Sequence, residues 1–328
     1  MTLLFLGDNM KKVLSIGELL IDFMPTTSGV GLKSVTSFEK AAGGAPANVV
    51  VAVSKMQGHG IFLGQVGNDA FGHFLIDELN QYGVDTTYVE TTHQYHTGLA
   101  FVALTAQGER DFIFYRNPSA DQFYQAKQFD LSLLNHNILH FCSVSLLGYP
   151  ILETHKRLLH EAKLRKTIVS FDPNVRLALS DNHSEYQNTI QAFLPYADII
   201  KVSDDELKFI TKTNDYDDQI QWLLTLNAQV IIITRGQKGV ILYHKGQPIE
   251  VSGYPAKVVD TTGAGDAWIG SFLAQIAQHD TLDSISTEVL AKYACFSNAF
   301  AAITTEAKGA MVAMPQQADI LKWIKKST

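Results

Sequence analysis

VVDTTGAGDAWIGSFLAQIA, residues 258–277, is the stretch of this chain from which the architecture follows. Its apolar residues recur with helical spacing directly after a Gly-Ala-Gly turn, which predicts a helix over 264–278. The free N–H groups of a first helical turn and the positive end of the helix dipole attract anions. Glycine also lets a ligand approach the backbone closely. Gly263, Ala264 and Gly265 are therefore predicted to form an anion site.

Asp266 stands in the first turn of that helix, beside the predicted anion. A carboxylate at this position often only complements the helix dipole. Here the glycines on one side and Asp260, Thr261 and Thr262 on the other favour a second interpretation. A base beside an oxyanion cradle is what phosphoryl transfer to a hydroxyl requires, because the base deprotonates the alcohol while N–H dipoles stabilise the phosphoryl charge.

Working outward, short Val-, Ile- and Leu-rich runs alternate with longer amphipathic stretches. This pattern is typical of a parallel sheet covered by helices on both faces, an α/β fold with a doubly wound sheet. Ligands of such sheets bind at the carboxyl ends of the strands. The predicted strands cover 12–17, 61–67, 139–144, 167–172, 198–202, 230–234 and 239–244, and the predicted helices cover 46–56, 70–82, 152–165, 184–194, 204–211, 216–226, 264–278, 288–303 and 316–326.

One segment does not follow this alternation of strands and helices. Residues 97–115 read as two strands joined by the turn AQGE, which predicts a β-hairpin with apolar or aromatic residues on both faces. Residues 21–24 and 35–38 are candidates to pair with it. We therefore expect a single domain over 1–328, with a small β-sheet lid assembled from segments near 18–42 and 97–116. Apolar lid faces of this kind favour a homodimer through the lid.

A second glycine pair precedes the predicted helix 46–56. Gly43 and Gly44 are compatible with a simple turn, but Asn48 is a polar amide in the first turn of an otherwise apolar helix. Such an amide can both donate to and accept from sugar hydroxyls. Asp22 follows the carboxyl end of the first predicted strand, where a carboxylate can accept from two adjacent hydroxyls.

Composition narrows the possible functions. The net charge is −7, and no basic cluster longer than two residues interrupts the acidic balance, so nucleic acid is not an expected partner. No apolar run approaches the roughly 20 residues that span a bilayer. Residues 1–9, MTLLFLGDN, are interpreted as a short extension rather than a signal peptide. Cys142 and Cys295 lie in apolar contexts without metal or redox spacing, which favours buried free thiols and a cytoplasmic protein.

The segments AAGGAPANVVVAV and DTTGAGDAWIGSFL resemble the two signature regions of the ribokinase-type (PfkB) carbohydrate kinases, and the resemblance runs from about Val13 to Pro315. GELLIDFMPT, FYRNPSADQF, FDPNVRL, KVSDDELKFIT and AITTEAKGAM resemble the fructokinases within that family. The resemblance implies a ribokinase-like three-layer sandwich with a nine-stranded sheet and a β-sheet lid. It also implies ATP and Mg²⁺ as cosubstrates.

The resemblance assigns roles to individual positions. Asp266 matches the catalytic base, and Gly263, Ala264 and Gly265 match the anion hole. The positions that match sugar contacts are Asp22, Gly43, Gly44, Asn48, Phe101 as a lid residue over the sugar, and Arg176 at the sugar and phosphate side. The positions that match the nucleotide site are Ser203, Thr234, Gly236, Gly239 and Asn298.

Two departures from the family pattern concern metals. The family often has Asn-x-x-Glu where this chain has Ser203-Asp204-Asp205-Glu206, so Glu206 is a candidate to organise Mg²⁺ through water or simply a helix-start acid. Many members hold K⁺ beside the anion hole, and Asp260, Thr262 and Gly309 occupy the corresponding positions. Ala313 stands where ribokinases carry a serine.

The expected activity is ATP-dependent phosphorylation of the primary hydroxyl of D-fructose to fructose 6-phosphate, without a phosphoenzyme. Ribose, 2-keto-3-deoxygluconate or a riboside are alternative acceptors within the same family. A catalytically silent sugar-binding regulator is an alternative of another class, and loss of the base or the glycines would be its mark. Asp266, Gly263 and Gly265 are all present.

Overall fold

The computed structural model describes residues 10–27, 29–104 and 110–327. Its strands are β1 (Lys12–Ile16), β2 (Leu20–Pro25), β3 (Phe38–Gly43), β4 (His59–Gly67), β5 (Asp85–Thr92), β6 (Leu99–Leu104), β7 (Arg110–Tyr115), β8 (Ile138–Cys142), β9 (Ile168–Asp172), β10 (Ile199–Ser203), β11 (Val230–Thr234), β12 (Val240–His244) and β13 (Gln247–Val251). Its helices are α1 (Ala45–Lys55), α2 (Ala70–Gln81), α3 (Pro150–Leu164), α4 (His183–Phe193), α5 (Asp204–Thr211), α6 (Tyr216–Leu224), α7 (Ala264–Ile276), α8 (Thr287–Thr304) and α9 (Gln317–Ser327).

Nine of these strands form a large sheet in the order β13-β12-β11-β10-β9-β8-β1-β4-β5. From β11 to β5 every neighbouring pair is parallel, whereas β12 and β13 are antiparallel additions at one edge. The parallel strands direct their carboxyl ends to one edge of the sheet, where α/β sheets bind ligands.

Helices cover both faces of the large sheet. Helices α1, α7 and α8 pack together on one face, around a buried cluster that includes Val49, Phe272 and Phe296. Helices α3 to α6 cover the other face over a second buried cluster that includes Phe141 and Phe171. The central strands are apolar on both sides because both faces are covered. The three-layer α/β fold predicted from the sequence is confirmed.

The two strands that the sequence did not predict are the edge strands of the large sheet. β5 reads DTTYVETT and β13 reads QPIEV, and in both strands polar residues interrupt the apolar ones and the strand is partly exposed. An edge strand lacks the continuous apolar run of a strand buried on both faces, so the criterion that identified the inner strands could not find them.

The other four strands form a small sheet in the order β3-β2-β6-β7. β2 pairs antiparallel with β3 and parallel with β6, and β6 and β7 form the predicted hairpin. The predicted pairing of residues 21–24 with this hairpin is confirmed. Of the segment 35–38, only Phe38 lies in a strand.

The remaining sequence predictions concern other parts of the chain. The N-terminal extension 1–9 and the hairpin turn at 106–109 lie outside the described residues. Cys142 is buried as predicted, but Cys295 is only partly buried and contacts the Tyr254 hydroxyl at 3.2 Å. Among the described helices, none is long and apolar enough to cross a membrane.

Candidate active site

A cleft of about 170 Å³ lies between the small sheet and the carboxyl ends of the large sheet. The small sheet contributes the side chains of β2, β6 and β7, and the large sheet contributes the loops after β1 and β9 and Lys201 of β10. The polar residues that line it are Glu18, Asp22, Asn48, Asn174, Arg176, Lys201, Thr261, Thr262 and Asp266. This sugar-sized space is called the first cleft below.

Asp266 lies at the floor of the first cleft, in the first turn of α7. Asn48 of α1 donates from Nδ2 to Asp266 Oδ2 at 2.8 Å, and Asn174 donates from Nδ2 to Asp266 Oδ1 at 2.9 Å. The two amides come from opposite sides of the sheet's edge and fix the plane of the carboxylate. A carboxylate held in one orientation is suited to accept a proton from a bound hydroxyl.

The pKa of Asp266 is raised from 3.8 to about 6. Burial is the main cause, since desolvation disfavours the charged carboxylate, and the neighbouring charge of Asp172 adds to it. The Asn48 hydrogen bond and the cations Arg176 and Lys201 act in the opposite direction. A base with a pKa near neutral is well matched to proton abstraction.

The turn before α7 has the geometry of an anion site. Gly263, the residue that caps α7, has a left-handed backbone with φ 74°, and no side chain caps the helix. A Cβ on Gly263 would lie 2.5 Å from Ala310 Cβ, so a larger residue does not fit. The amide of Ala264 donates to the carbonyl of Thr261, and the N-terminus of α7, which has no side-chain cap, remains the predicted anion site.

Asp22 lies on β2 and faces the first cleft from the small sheet. A Cβ on Gly43 would lie 2.0 Å from Asp22 Oδ2, so the carboxyl occupies the space that this glycine leaves. Burial raises the pKa of Asp22 to about 7, opposed by Arg176 and increased by Asp266. Gly44, the N-cap of α1, lines the cleft beside it.

A second cleft, of about 340 Å³, opens on the other side of the Gly-Ala-Gly turn. Of the predicted nucleotide residues, Thr234, Gly236, Gly239 and Asn298 line it, and Ala264 borders it as well. Val240, Tyr254, Trp268 and Ala301 give it an apolar wall suited to a flat base. Thr261 and Gly265 line both clefts, so the two spaces meet at the anion site.

Asn298 supports the wall of this second cleft through the hydrogen bonds of its side chain. Its Oδ1 accepts from Trp268 Nε1 at 2.7 Å, and its Nδ2 donates to the carbonyls of Val251 and Ser252. The side chain thus joins α7 to the end of β13. Its amide group fixes the shape of the cleft.

The prediction that Ser203 contacts the nucleotide is not supported, because Ser203 lines neither cleft. It caps α5, and its hydroxyl and amide engage Glu206 in a capping box. Glu206 Oε1 additionally accepts from the amide of Val175 at 2.6 Å. The helix-start interpretation of Glu206 describes these contacts, and they also hold its carboxylate next to the Asn174–Arg176 loop.

The prediction that Phe101 covers the sugar is also not supported. Ala100 and Val102 of β6 line the first cleft, so the alternation of a strand turns Phe101 to the opposite face. There it stacks on Phe23, with ring centroids 4.7 Å apart, and contacts Phe38 and Tyr115. Phe114 is the aromatic residue of the hairpin that lines the cleft.

The residues at the predicted K⁺ positions lie in a loop beside the anion site, and hydrogen bonds hold this loop together. Asp260 Oδ1 accepts from the amide and hydroxyl of Thr262, and Asp260 Oδ2 accepts from the amide of Gly309 at 3.0 Å. The amide of Val259 donates to the carbonyl of Thr305. This network ties the approach to α7 to the segment that follows α8.

Three residues of the first cleft escaped the sequence prediction. Asn174 adopts a left-handed backbone with φ 45°, which asparagine tolerates and which aims its amide at Asp266. Lys201 lies on β10, and Glu18 follows β1; burial raises the pKa of the Glu18 carboxyl to about 7, opposed by Arg116. Glu18 and Asn174 follow parallel strands, so their position at the carboxyl edge was the available signal, whereas Lys201 lies within β10.

Comparisons with known proteins agree with this geometry. Residues 10–317 match the model of the pfkB family carbohydrate kinases. Probable fructokinase-5 of Arabidopsis thaliana is 41% identical over 97% of this chain and 98% of its own. The structure resembles fructokinase with bound ATP from Xylella fastidiosa, with a TM-score of 0.89 and 34% identity over 97% of this chain and 99% of that one. It also resembles fructokinase from Vibrio cholerae O395 bound to fructose, ADP and calcium, with a TM-score of 0.85 and 31% identity over 96% and 99% of the two chains.

Proposed function

We propose that this chain, which belongs to the pfkB family of carbohydrate kinases, transfers the γ-phosphoryl group of ATP to the primary 6-hydroxyl of D-fructose. The observation that carries this proposal is the position of Asp266. Its carboxylate lies at the floor of the first cleft, beside the turn at which the first and second clefts meet. A base at this junction is within reach of an acceptor hydroxyl on one side and of a nucleotide phosphate on the other.

The reaction is a direct in-line transfer. Asp266 takes the proton of the sugar hydroxyl while that oxygen bonds to the γ-phosphorus. The bond from the γ-phosphorus to the β–γ bridging oxygen breaks, and ADP leaves with that electron pair. The amides of the Gly263–Gly265 turn stabilise the negative charge on the transferring group. Asn48 and Asn174 keep the base oriented throughout.

The charge of the first cleft favours a neutral, hydroxyl-rich acceptor. Glu18, Asp22 and Asp266 contribute three carboxyls, and one of the two cations, Lys201, already pairs with Asp172. An acceptor with its own carboxylate, such as 2-keto-3-deoxygluconate, would meet repulsion from these acids. Ribose and ribosides are neutral and remain the alternative acceptors.

Mg²⁺ fits this site as an ion bound to the ATP phosphates and to water. Oε2 of Glu206 accepts from both the amide and the hydroxyl of Ser203, while Oε1 accepts one backbone amide. That engagement suits a carboxylate that orients a metal-bound water rather than one that coordinates the metal directly. When bound, Mg²⁺ would neutralise phosphate charge.

A K⁺ ion is proposed for the loop of Asp260, Thr262 and Gly309. Glycine at 309 has φ 85°, and the loop it forms brings a carboxylate close to the anion site. Within the described residues no group of three or more His, Cys, Asp or Glu side chains could hold a metal. A cation here would therefore rely on Asp260 and backbone oxygens.

The small sheet is proposed to act as a lid over the sugar and as a homodimer contact. β7 is an edge strand, and Ile113 and Tyr115 on it are 46% and 61% exposed. An exposed apolar edge strand is a ready pairing surface. The face lined by Ala100, Val102 and Phe114 covers the sugar, and the remaining edge is left for a second copy. We place the reaction in the cytoplasm, where ATP is available and free thiols persist.

An ADP-release assay with a panel of acceptors tests this function. We expect the highest kcat/KM with D-fructose, and lower values with ribose, 2-keto-3-deoxygluconate and a riboside. A higher kcat/KM with one of the other acceptors would show that the chain is a kinase for that acceptor rather than for fructose. Sugar binding without ADP release for any acceptor would instead identify a silent regulator.

A further inference from the structure

Lys201 is a buried cation in the middle of β10, close to the junction of the two clefts. Its side chain lines the first cleft, although the residue is only 5% exposed. Nζ donates to Asp172 Oδ2 at 2.6 Å, and Asp172 is fully buried at the end of the neighbouring strand β9. The pair therefore joins two adjacent strands of the large sheet, with Asp172 at the carboxyl end of β9 and Lys201 two residues before the end of β10.

The ammonium group lies directly beneath the anion site. A Cβ placed on Gly265 would come within 3.2 Å of Lys201 Nζ. Gly265 is the second glycine of the turn and lines both clefts. The positive charge is thus held next to the backbone amides where the transferring phosphoryl group is expected.

The group stays charged at neutral pH. Burial acts to lower the pKa of Lys201, but Asp172, Glu206 and Asp266 outweigh it and raise the pKa above its ordinary value. The neighbouring His140 is fully buried, and burial, aided by Lys201, lowers its pKa to about 3. His140 is therefore neutral and contributes no competing charge.

Stability alone does not account for this pair. Removing two charges from water costs several kcal/mol, and a buried ion pair often stabilises no more than an apolar pair of the same size. The ammonium group has three protons, and among the described residues Asp172 is its single hydrogen-bond acceptor. Asp172 Oδ1 is buried and has no hydrogen-bond partner in the described part of the chain. The pair is thus incompletely satisfied, with spare donors next to the cleft.

We propose that Lys201 is a further catalytic residue that donates to the oxygens of the transferring phosphoryl group, and that Asp172 positions it. This inference rests on the proposed function. Negative charge spreads over the non-bridging oxygens as the group passes from ADP to the sugar oxygen, and a fixed cation stabilises that charge most. Lys201 keeps its proton throughout, since Asp266 accepts the hydroxyl proton and ADP takes the electron pair of the broken bond.

Kinetics of Lys201→Met, Lys201→Arg and the double variant Lys201→Met/Asp172→Asn test the proposal. The double variant removes both charges, so it avoids a lone buried carboxylate that could unfold Lys201→Met. Lys208→Met is the matched control, because Lys208 is exposed on the helix that follows the same strand. We expect kcat to fall roughly 10²- to 10³-fold in both methionine variants, as for loss of one donor to a transition-state oxyanion. We expect a smaller fall in Lys201→Arg and none in the control.

Two further readouts separate contact with the phosphoryl group from a merely structural or indirect role. Calorimetry compares ADP with β,γ-methylene-ATP, and we expect the double variant to bind ADP within threefold of wild type while losing affinity for the analogue. A kcat within threefold of wild type in the double variant would overturn the proposal, as would equal weakening of both nucleotides. So would recovery of full kcat at high pH, because Lys201 would then act only through the pKa of Asp266.

The outcome can be distinguished from failure of the proposed function. If wild type does not phosphorylate fructose, the proposed acceptor is wrong. The comparison of ADP with the analogue still reports whether Lys201 contacts the γ-phosphoryl group.

Discussion

Replacing Asp266 with asparagine separates the chemical role of this carboxyl from its effect on the fold. Asparagine keeps the shape but cannot accept the hydroxyl proton. We expect kcat to fall by roughly 10² to 10⁴, the usual contribution of a positioned base. ATP affinity should be retained, since Asp266 does not line the second cleft.

The same substitution has a calculable effect on stability. The pKa of Asp266 is about 6 in the folded protein, against an ordinary value of 3.8 for an aspartate. Because the folded pKa is the higher one, the carboxyl's stabilising contribution is fully present below 3.8 and is lost as the pH rises through 6. From these two pKa values, wild type should lose about 2 kcal/mol between pH 4.5 and 7.5 that Asp266→Asn does not lose.

Urea unfolding of wild type and Asp266→Asn at pH 4.5 and 7.5 measures this difference. Comparing the change with pH removes the constant cost of the altered hydrogen bonds to Asn48 and Asn174. Asp77→Asn, at an exposed position of α2, is the control and should show no such trend. A stability gap between wild type and Asp266→Asn that does not change with pH would refute the burial argument. Turnover within about threefold of wild type would refute the base role.

Three further predictions concern the acceptor side and the small sheet. Asp22→Ala should raise the KM for fructose about ten- to hundredfold and leave the KM for ATP unchanged, because a hydrogen bond to a charged group contributes about 1.5 to 3 kcal/mol; equal loss of both would mean that Asp22 shapes the whole cleft. Hydrogen exchange in β6 and β7 should slow when fructose binds, and unchanged exchange would exclude closure of the lid on the sugar. Tyr115→Lys should shift the protein from dimer to monomer in analytical ultracentrifugation, whereas an unchanged sedimentation coefficient would place any dimer contact elsewhere.

The fold was largely predictable because the apolar patterns of its inner strands and of its helices are both strong in the sequence. Inner strands such as VIIIT at 230–234 are continuously apolar, and the helix from Ala264 is marked by its glycines and its apolar repeat. Asp22 was singled out because it follows the carboxyl end of a predicted strand, whereas Asp266 and Asn48 were singled out as polar residues in the first turn of a helix that follows glycines. These three side chains do lie together in the first cleft.

Phe101 and Ser203, two of the predicted site residues, line neither cleft, since the sequence did not show which contacts a side chain makes. Phe101 was expected over the sugar, but a one-residue shift in a strand exchanges its faces, and Ala100 and Val102 face the cleft instead. Ser203 was expected at the nucleotide, but the carboxylate three residues later binds its hydroxyl. Asn174 was missed because its contact with Asp266 joins residues 92 positions apart.

The groups around Asp266 explain why this carboxyl lies in a buried position, where its ionisation lowers the stability of the folded protein. A carboxyl in open solvent would keep a pKa near 4 and abstract protons weakly, whereas burial between the two clefts raises the pKa to about 6. The same burial requires donors for both oxygens, and Asn48 of α1 and Asn174 of the loop after β9 supply them. It also requires nearby positive charge, and Arg176 and Lys201 provide it. Each group that stabilises the ionised carboxylate also lines the first cleft, so under the proposed function one set of residues would stabilise both the base and the transition state.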